Sequence, residues 1–191
     1  MKWLMFLALI GVLQAEPGER VKEIRGWYQT LQDAKPTRER AIKFEAQDEP
    51  FAGTMTVREF AGGFAAVTAS YGSEHGGADE HLYFKDGELF FVYDVENAWH
   101  FIDAFEENGI DSKTAETRRE KRFYFEGGKC IRQLARSLTE EDAGTLAAKL
   151  AKIESEEVEP GDEAAEFLIR GSLLLKATKP EDVLKAFGIT G

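Results

Sequence analysis

The chain has 191 residues, 43% hydrophobic and 31% charged, which is enough apolar material for one packed domain and argues against global disorder. Its formal net charge of -11 disfavours nucleic acid, whose affinity draws on Lys and Arg neutralising phosphates. It equally disfavours a polybasic docking patch on anionic lipid.

At the N-terminus, Lys2 precedes the unbroken apolar run WLMFLALIGVL, which ends at Gln14 and Ala15. A short basic region, an apolar stretch and a small residue at the cleavage position together predict a signal peptide over residues 1–15. The run is shorter than the about 20 apolar residues a spanning helix needs. The mature chain is therefore expected to be periplasmic or secreted, without stable membrane insertion. The single cysteine, Cys130, offers no disulfide framework, and its strand-like setting between Lys129 and Ile131 reads as a small buried filler.

Val21, Ile24, Tyr28 and Leu31 fall on one helical face with Trp27 beside it, between Pro17-Gly18 and Pro36. Ile42 and Phe44 alternate with charges, as in a half-buried edge strand. After Pro50 and Gly53, TMTVREF and FAAVTASYG read as strands joined by a Gly62-Gly63 turn, and SEHGGADE reads as a polar loop.

Next comes HLYFKDGELFFVYDVE. Asp86-Gly87 suits a type I′ hairpin turn, which needs positive φ at both central residues. A regular ladder places Lys85 opposite Glu88, Phe84 opposite Leu89 and Leu82 opposite Phe91. It groups Leu82, Phe84, Leu89, Phe91 and Tyr93 on one face, with His81, Tyr83, Phe90, Val92 and Asp94 on the other. The pattern recurs in RFYFEGGKCIRQLA, where Gly127-Gly128 makes the turn, Glu126 faces Lys129, Phe125 faces Cys130 and Tyr124 faces Ile131.

Between the hairpins, residues 97–115 fit either a strand extension or a short helix. The basic run RREKR at 118–122 reads as the solvated edge of a long strand. Thr139 and Asp142 signal a helix start, with Ala143, Leu146, Ala147, Leu150 and Ile153 at helical spacing. A second helix is predicted from about Glu163 to Lys176, and a short one from Pro180 to Phe187, capped by Gly188.

The order of elements predicts an α+β fold: an antiparallel β-meander of about four to six strands, packed by an N-terminal helix and followed by a C-terminal helical segment. The domain division is residues 1–15 signal, 16–156 sheet domain and 157–191 helical appendage.

Three stretches carry a resemblance: Ile24-Arg25-Gly26-Trp27-Tyr28, Leu82 to Leu89, and Arg122 to Ile131. Over residues 20–136 they resemble a group of uncharacterised exported bacterial proteins with paired Tyr-Tyr-Phe-x-x-Gly-x-Leu hairpins. The resemblance implies export and an antiparallel sheet, and carries no activity or catalytic residue. Cys130 stands where that pattern has Leu.

Candidate site residues are few. His75, Asp79 and His81, with His100 further on, are metal-ligand types, but their spacing matches no recognised ligand pattern. Once Asp79–His81 is strand, Glu80 points away from its neighbours. A solvated loop is the simpler reading, and no metal or cofactor is expected. The serines lack an elbow motif, and adjacent glutamates do not give the carboxyl separation of a glycosidase. The aromatics, concentrated on the proposed sheet, read first as core packing, with a shallow groove for a peptide or glycan as the functional alternative. The expectation is a non-catalytic envelope module for a protein, peptide or glycan. The alternative is an envelope hydrolase or metal-dependent enzyme using the 75–81 loop.

Overall fold

The computed structural model describes residues 17–102 and 113–189. The predicted signal segment and the stretch around Phe105 lie outside them. Helix α1 (Pro17–Asp33) leads into strands β1 (Arg38–Glu45), β2 (Ala52–Glu59), β3 (Phe64–Ser73), β4 (Gly76–Lys85), β5 (Glu88–Phe101), β6 (Thr114–Glu126) and β7 (Lys129–Glu140). Helix α2 (Ala143–Leu150), strand β8 (Glu156–Val158) and helices α3 (Asp162–Lys176) and α4 (Pro180–Ala186) complete the chain. The strands form one sheet in the order β1 to β8, every neighbouring pair antiparallel. This is the predicted α+β meander, with eight strands instead of four to six. No helix among the described residues is long and apolar enough to cross a membrane.

The sheet is covered on both sides. On one side α1 sets Val21, Ile24 and Leu31 against Phe90, Phe91, Tyr124 and Leu134. On the other, α3 and α4 bring Ala164, Phe167, Leu174, Val183 and Leu184 onto Met55, Val67, Leu82, Phe84 and Phe123. The segment expected as an appendage therefore shares the larger core. Each of these Phe and Leu side chains contributes about 1.5–3 kcal/mol on full burial. Helix α3 comes very close: a Cβ at Gly171 would stand 3.0 Å from Leu82 Cδ2 and 3.4 Å from Phe84 Cζ.

Both hairpins form at the predicted dipeptides. Asp86 and Gly87 take φ of 51° and 83°, Gly127 and Gly128 take 54° and 72°, and the first two partner pairs of each ladder are as expected. Beyond them the registers differ from the sequence reading, in the same way in both hairpins. Phe84 faces Leu89, but Tyr83 faces Phe91, so Phe90 is an extra residue; Phe125 faces Cys130, but Tyr124 faces Arg132, so Ile131 is extra. Each is a β-bulge, which puts two residues opposite one and re-aims the strand beyond it. Phe90 and Phe91 both face α1. Past the bulge, Val92 joins Leu82 in the α3-side core, and Asp94 faces the same way, opposite Glu80.

Two further expectations change. Trp99 and Phe101 continue β5, which resolves the open choice at residues 99–101 as strand. RREKR is not a solvated edge: β6 lies between β5 and β7, and Glu120 and Lys121 are only 5% and 9% exposed. The edge strands are β1 and β8. Charged residues survive inside a two-sided sheet because they pair across strands, as described next.

Candidate functional site

A row of ionisable side chains crosses the α3 side of the sheet. Glu80 on β4 is the cross-strand partner of Asp94 on β5, and Asp94 is the partner of Lys121 on β6. From above, α3 adds Glu163 in its first turn and Arg170 two turns later, with Phe167 packed between them into the core.

At one end, Glu80 is 1% exposed and held on three sides. Arg170 Nη2 donates to its Oε1 at 2.8 Å and Arg170 Nε to its Oε2 at 3.3 Å, while Tyr71 Oη donates to Oε1 at 2.9 Å. Burial nonetheless raises the Glu80 pKa, Arg170 offsetting only part of the desolvation. Burial and the neighbouring Glu80 also push the Tyr71 hydroxyl upward, so it stays a donor.

At the other end, Lys121 Nζ stands among three carboxylates. It donates to Glu163 Oε1 at 2.5 Å and to Glu96 Oε1 at 2.9 Å, and lies 3.8 Å from Asp94 Oδ2. Burial works against the ammonium, but the bonds to Glu163 and Glu96 outweigh it and hold Lys121 above the ordinary lysine range. Asp94 is 2% exposed, and its Oδ2 has no hydrogen-bond donor among the described residues. Burial, reinforced by the like charges of Glu96 and Glu80, raises its pKa to about 8 despite Lys121.

One ligand oxygen from each of Asp94, Glu96 and Glu163 lies within 4.8 Å of the others, so this cluster could coordinate a metal ion. An all-oxygen set of this kind suits hard cations such as Ca²⁺, Mg²⁺ or Mn²⁺. Asp94 closes the site from the protein interior. Glu96 and Glu163, with side chains 35% and 32% exposed, open it toward solvent.

The sequence candidates lie elsewhere. Asp79 and His81 are on β4, and as expected from the period of two Glu80 points to the opposite side. His81 stacks on Tyr93 at 5.9 Å, and burial lowers its pKa. His75, in the turn before β4, meets the Trp99 ring edge-on at 4.9 Å, and His100 is exposed near the end of β5. These four form no three-ligand grouping among the described residues. Asp94, Glu96 and Glu163 were not singled out from sequence, because a ladder without the Phe90 bulge turns Asp94 to the side opposite Leu82. The remaining signal was an acid, Asp94, flanked by Tyr93 and Val95 in a strand with both faces apolar.

No protein-family model, curated protein or solved structure matches the chain.

Proposed function

We propose that this chain is an exported, non-catalytic cation-binding domain whose site is Asp94, Glu96 and Glu163. The observation that carries the reading is the convergence of three acidic side chains, one of them fully buried with an oxygen that Lys121 faces at 3.8 Å without a hydrogen bond. Burial holds Asp94 as the neutral acid up to about pH 8, and a cation ligated there would displace that proton and compensate the charge that burial disfavours. Lys121 holds the place of the cation in its absence. Its ammonium is a compact charge on a flexible four-carbon stem, able to swing aside when a divalent ion arrives. Competition between a tethered cation and a free one is a way to set affinity.

The test is calorimetric titration of untagged protein with Ca²⁺, Mg²⁺ and Mn²⁺. One ion per chain is expected, with affinity increased in Lys121→Met and lost in Asp94→Asn. Absence of binding in both the parent chain and Lys121→Met would overturn the reading. Turnover of an ester or phosphodiester by the metal-loaded protein, lost in Asp94→Asn, would move the domain from binding to catalysis.

A second reading, a module for an envelope protein, peptide or glycan, is favoured by a separate observation. A cavity of about 470 Å³ lies under α1, floored by aromatic and aliphatic side chains. Its size falls within the range of roughly 300–1,000 Å³ usual for small-molecule sites.

A further inference from the structure

The cavity under α1 has a sharper chemistry than its aromatic content suggests. Its floor is Phe91, Tyr124 and Leu134 of the sheet, and α1 adds Ile24 from above, all four buried. Its charged lining is Arg25 from α1 and Arg122 from β6, and among the described residues no carboxylate lines it, in a chain of net charge -11.

Arg25 is exposed on α1, and among the described residues no carboxylate lies within ion-pair distance of it. Its guanidinium carbon stands 5.7 Å from the Tyr124 ring centroid, and Nε reaches the Tyr124 hydroxyl only at 3.5 Å. That is a marginal hydrogen bond, which leaves most of the donor fork unused. Arg122 lies over the Tyr93 ring at 5.2 Å and donates to Ser155 Oγ at 3.0 Å. The one acid near it, Glu120, is 3.8 Å away and is already held by Arg136 at 2.6 Å and 2.9 Å, with Arg118 at 3.6 Å. Three arginines thus share a single carboxylate beside the cavity, and the local balance is positive.

An aromatic-floored cavity with unspent guanidinium donors at its rim fits one ligand class. We infer that the space under α1 binds a small amphiphilic carboxylate, its aromatic body on Phe91 and Tyr124 and its carboxylate on Arg25 and Arg122. Guanidinium matches carboxylate geometry with two parallel donors. The aromatic floor receives a flat apolar body by offset or edge-to-face contact, as Phe91 and Tyr124 already do with each other at 5.1 Å. This inference rests on the second reading above, and not on the cation site.

The experiment is calorimetric titration of the purified chain with 2-naphthoate and with its neutral counterpart 2-naphthylmethanol. Naphthoate is expected to bind at one site per chain, at least about tenfold more tightly than the alcohol, since a hydrogen bond to a charged group outweighs a neutral one. Arg25→Gln, on an exposed helix face, is expected to weaken naphthoate by about tenfold and leave the alcohol unchanged, while Leu134→Trp, which fills the cavity, abolishes both. Thermal melts confirm that each variant is folded. Equal binding of acid and alcohol, or naphthoate binding indifferent to Arg25→Gln, overturns the anion inference. If naphthoate fails while a neutral glycan or peptide binds and is blocked by Leu134→Trp, the carboxylate inference falls and the binding-module reading stands. If neither class of ligand binds, both fall.

Discussion

The two sides of this sheet solve opposite electrostatic problems, and strand β6 takes part in both. On the α3 side, β4, β5 and β6 contribute Glu80, Asp94 and Lys121, and acids outnumber bases once α3 adds Glu163 and Arg170. On the α1 side, β6 and β7 contribute Arg118, Arg122 and Arg136 around Glu120, and bases outnumber acids. Within β6 the two balances belong to successive residues, Glu120 facing α1 and Lys121 facing α3. A strand separates them because its side chains alternate. The comparison teaches that net charge says little about either surface: an acidic chain keeps an arginine-lined cavity on one side and a carboxylate cage on the other.

The largest expected effect comes from cutting the α3-side row at its most buried pair. Arg170→Met removes the only guanidinium on Glu80 among the described residues and leaves that buried carboxylate with Tyr71 as its remaining donor there. Breaking a buried pair from one side costs about 3–5 kcal/mol, because the survivor is left without compensation. Urea unfolding should show that loss, and the double variant Glu80→Gln/Arg170→Met should recover a substantial part of it. A single variant within about 1 kcal/mol of the parent would mean that Glu80 is already neutral and that the row is held by packing alone.

The next effect appears as pH dependence. Folded Asp94 keeps its proton up to about 8, whereas an aspartate in the unfolded chain loses it near about 4. Between those values the folded state binds the extra proton. The contribution is therefore fully present below about pH 4 and is lost as pH rises toward about 8. At about 1.4 kcal/mol per unit of difference, the range is on the order of a few kcal/mol. Stability measured against pH in the parent chain and in Asp94→Asn should show a shallower decline in the variant. Glu80, which burial also holds above its ordinary range, contributes to the slope that remains, and His81, which burial lowers, opposes it. Parallel curves for the two chains would show that Asp94 is ionised well below pH 7 in the folded state.

Both sides also explain how far the sequence could be read. The meander, the N-terminal helix, both hairpin turns and the three C-terminal helices follow from local signals: periodicity, Asp-Gly and Gly-Gly at positive φ, and Pro180 at a helix start. Of the helix-start pair Thr139 and Asp142, Asp142 caps α2 while Thr139 still lies in β7. The assignment of β5 residues to faces did not follow, and the candidate site depends on it. Phe90 and Ile131 are the extra residues of two bulges, and neither is a glycine or proline that would mark an irregularity. Both are large apolar residues that a regular ladder would also accept. What holds them is tertiary: Phe90 fits edge-on against Trp27 of α1 at 5.2 Å, a contact between segments more than sixty positions apart. RREKR failed for a related reason. Its charges look like those of an edge until Glu96, Glu163 and Ser155 are known to stand across from them.

The smallest expected effect tests where the electrostatic contrast stops. Toward β1 and β2 the α1 side of the sheet carries Arg58 paired with Glu39 at 2.6 Å, both side chains at least 40% exposed. An ion pair in that setting contributes about 0–1 kcal/mol, so Arg58→Ala should hardly move the unfolding midpoint. Its effect should instead appear at His81. Burial is the main reason that the His81 pKa is low, Asp79 opposes it, and the positive charge of Arg58 adds to the depression. Removing Arg58 should therefore raise the His81 pKa slightly in an NMR titration, leaving it still below the ordinary histidine value because burial is unchanged. A fall in that pKa, or a stability loss beyond about 2 kcal/mol, would mean that Arg58 acts through packing and that this end of the sheet is as enclosed as the part under α1.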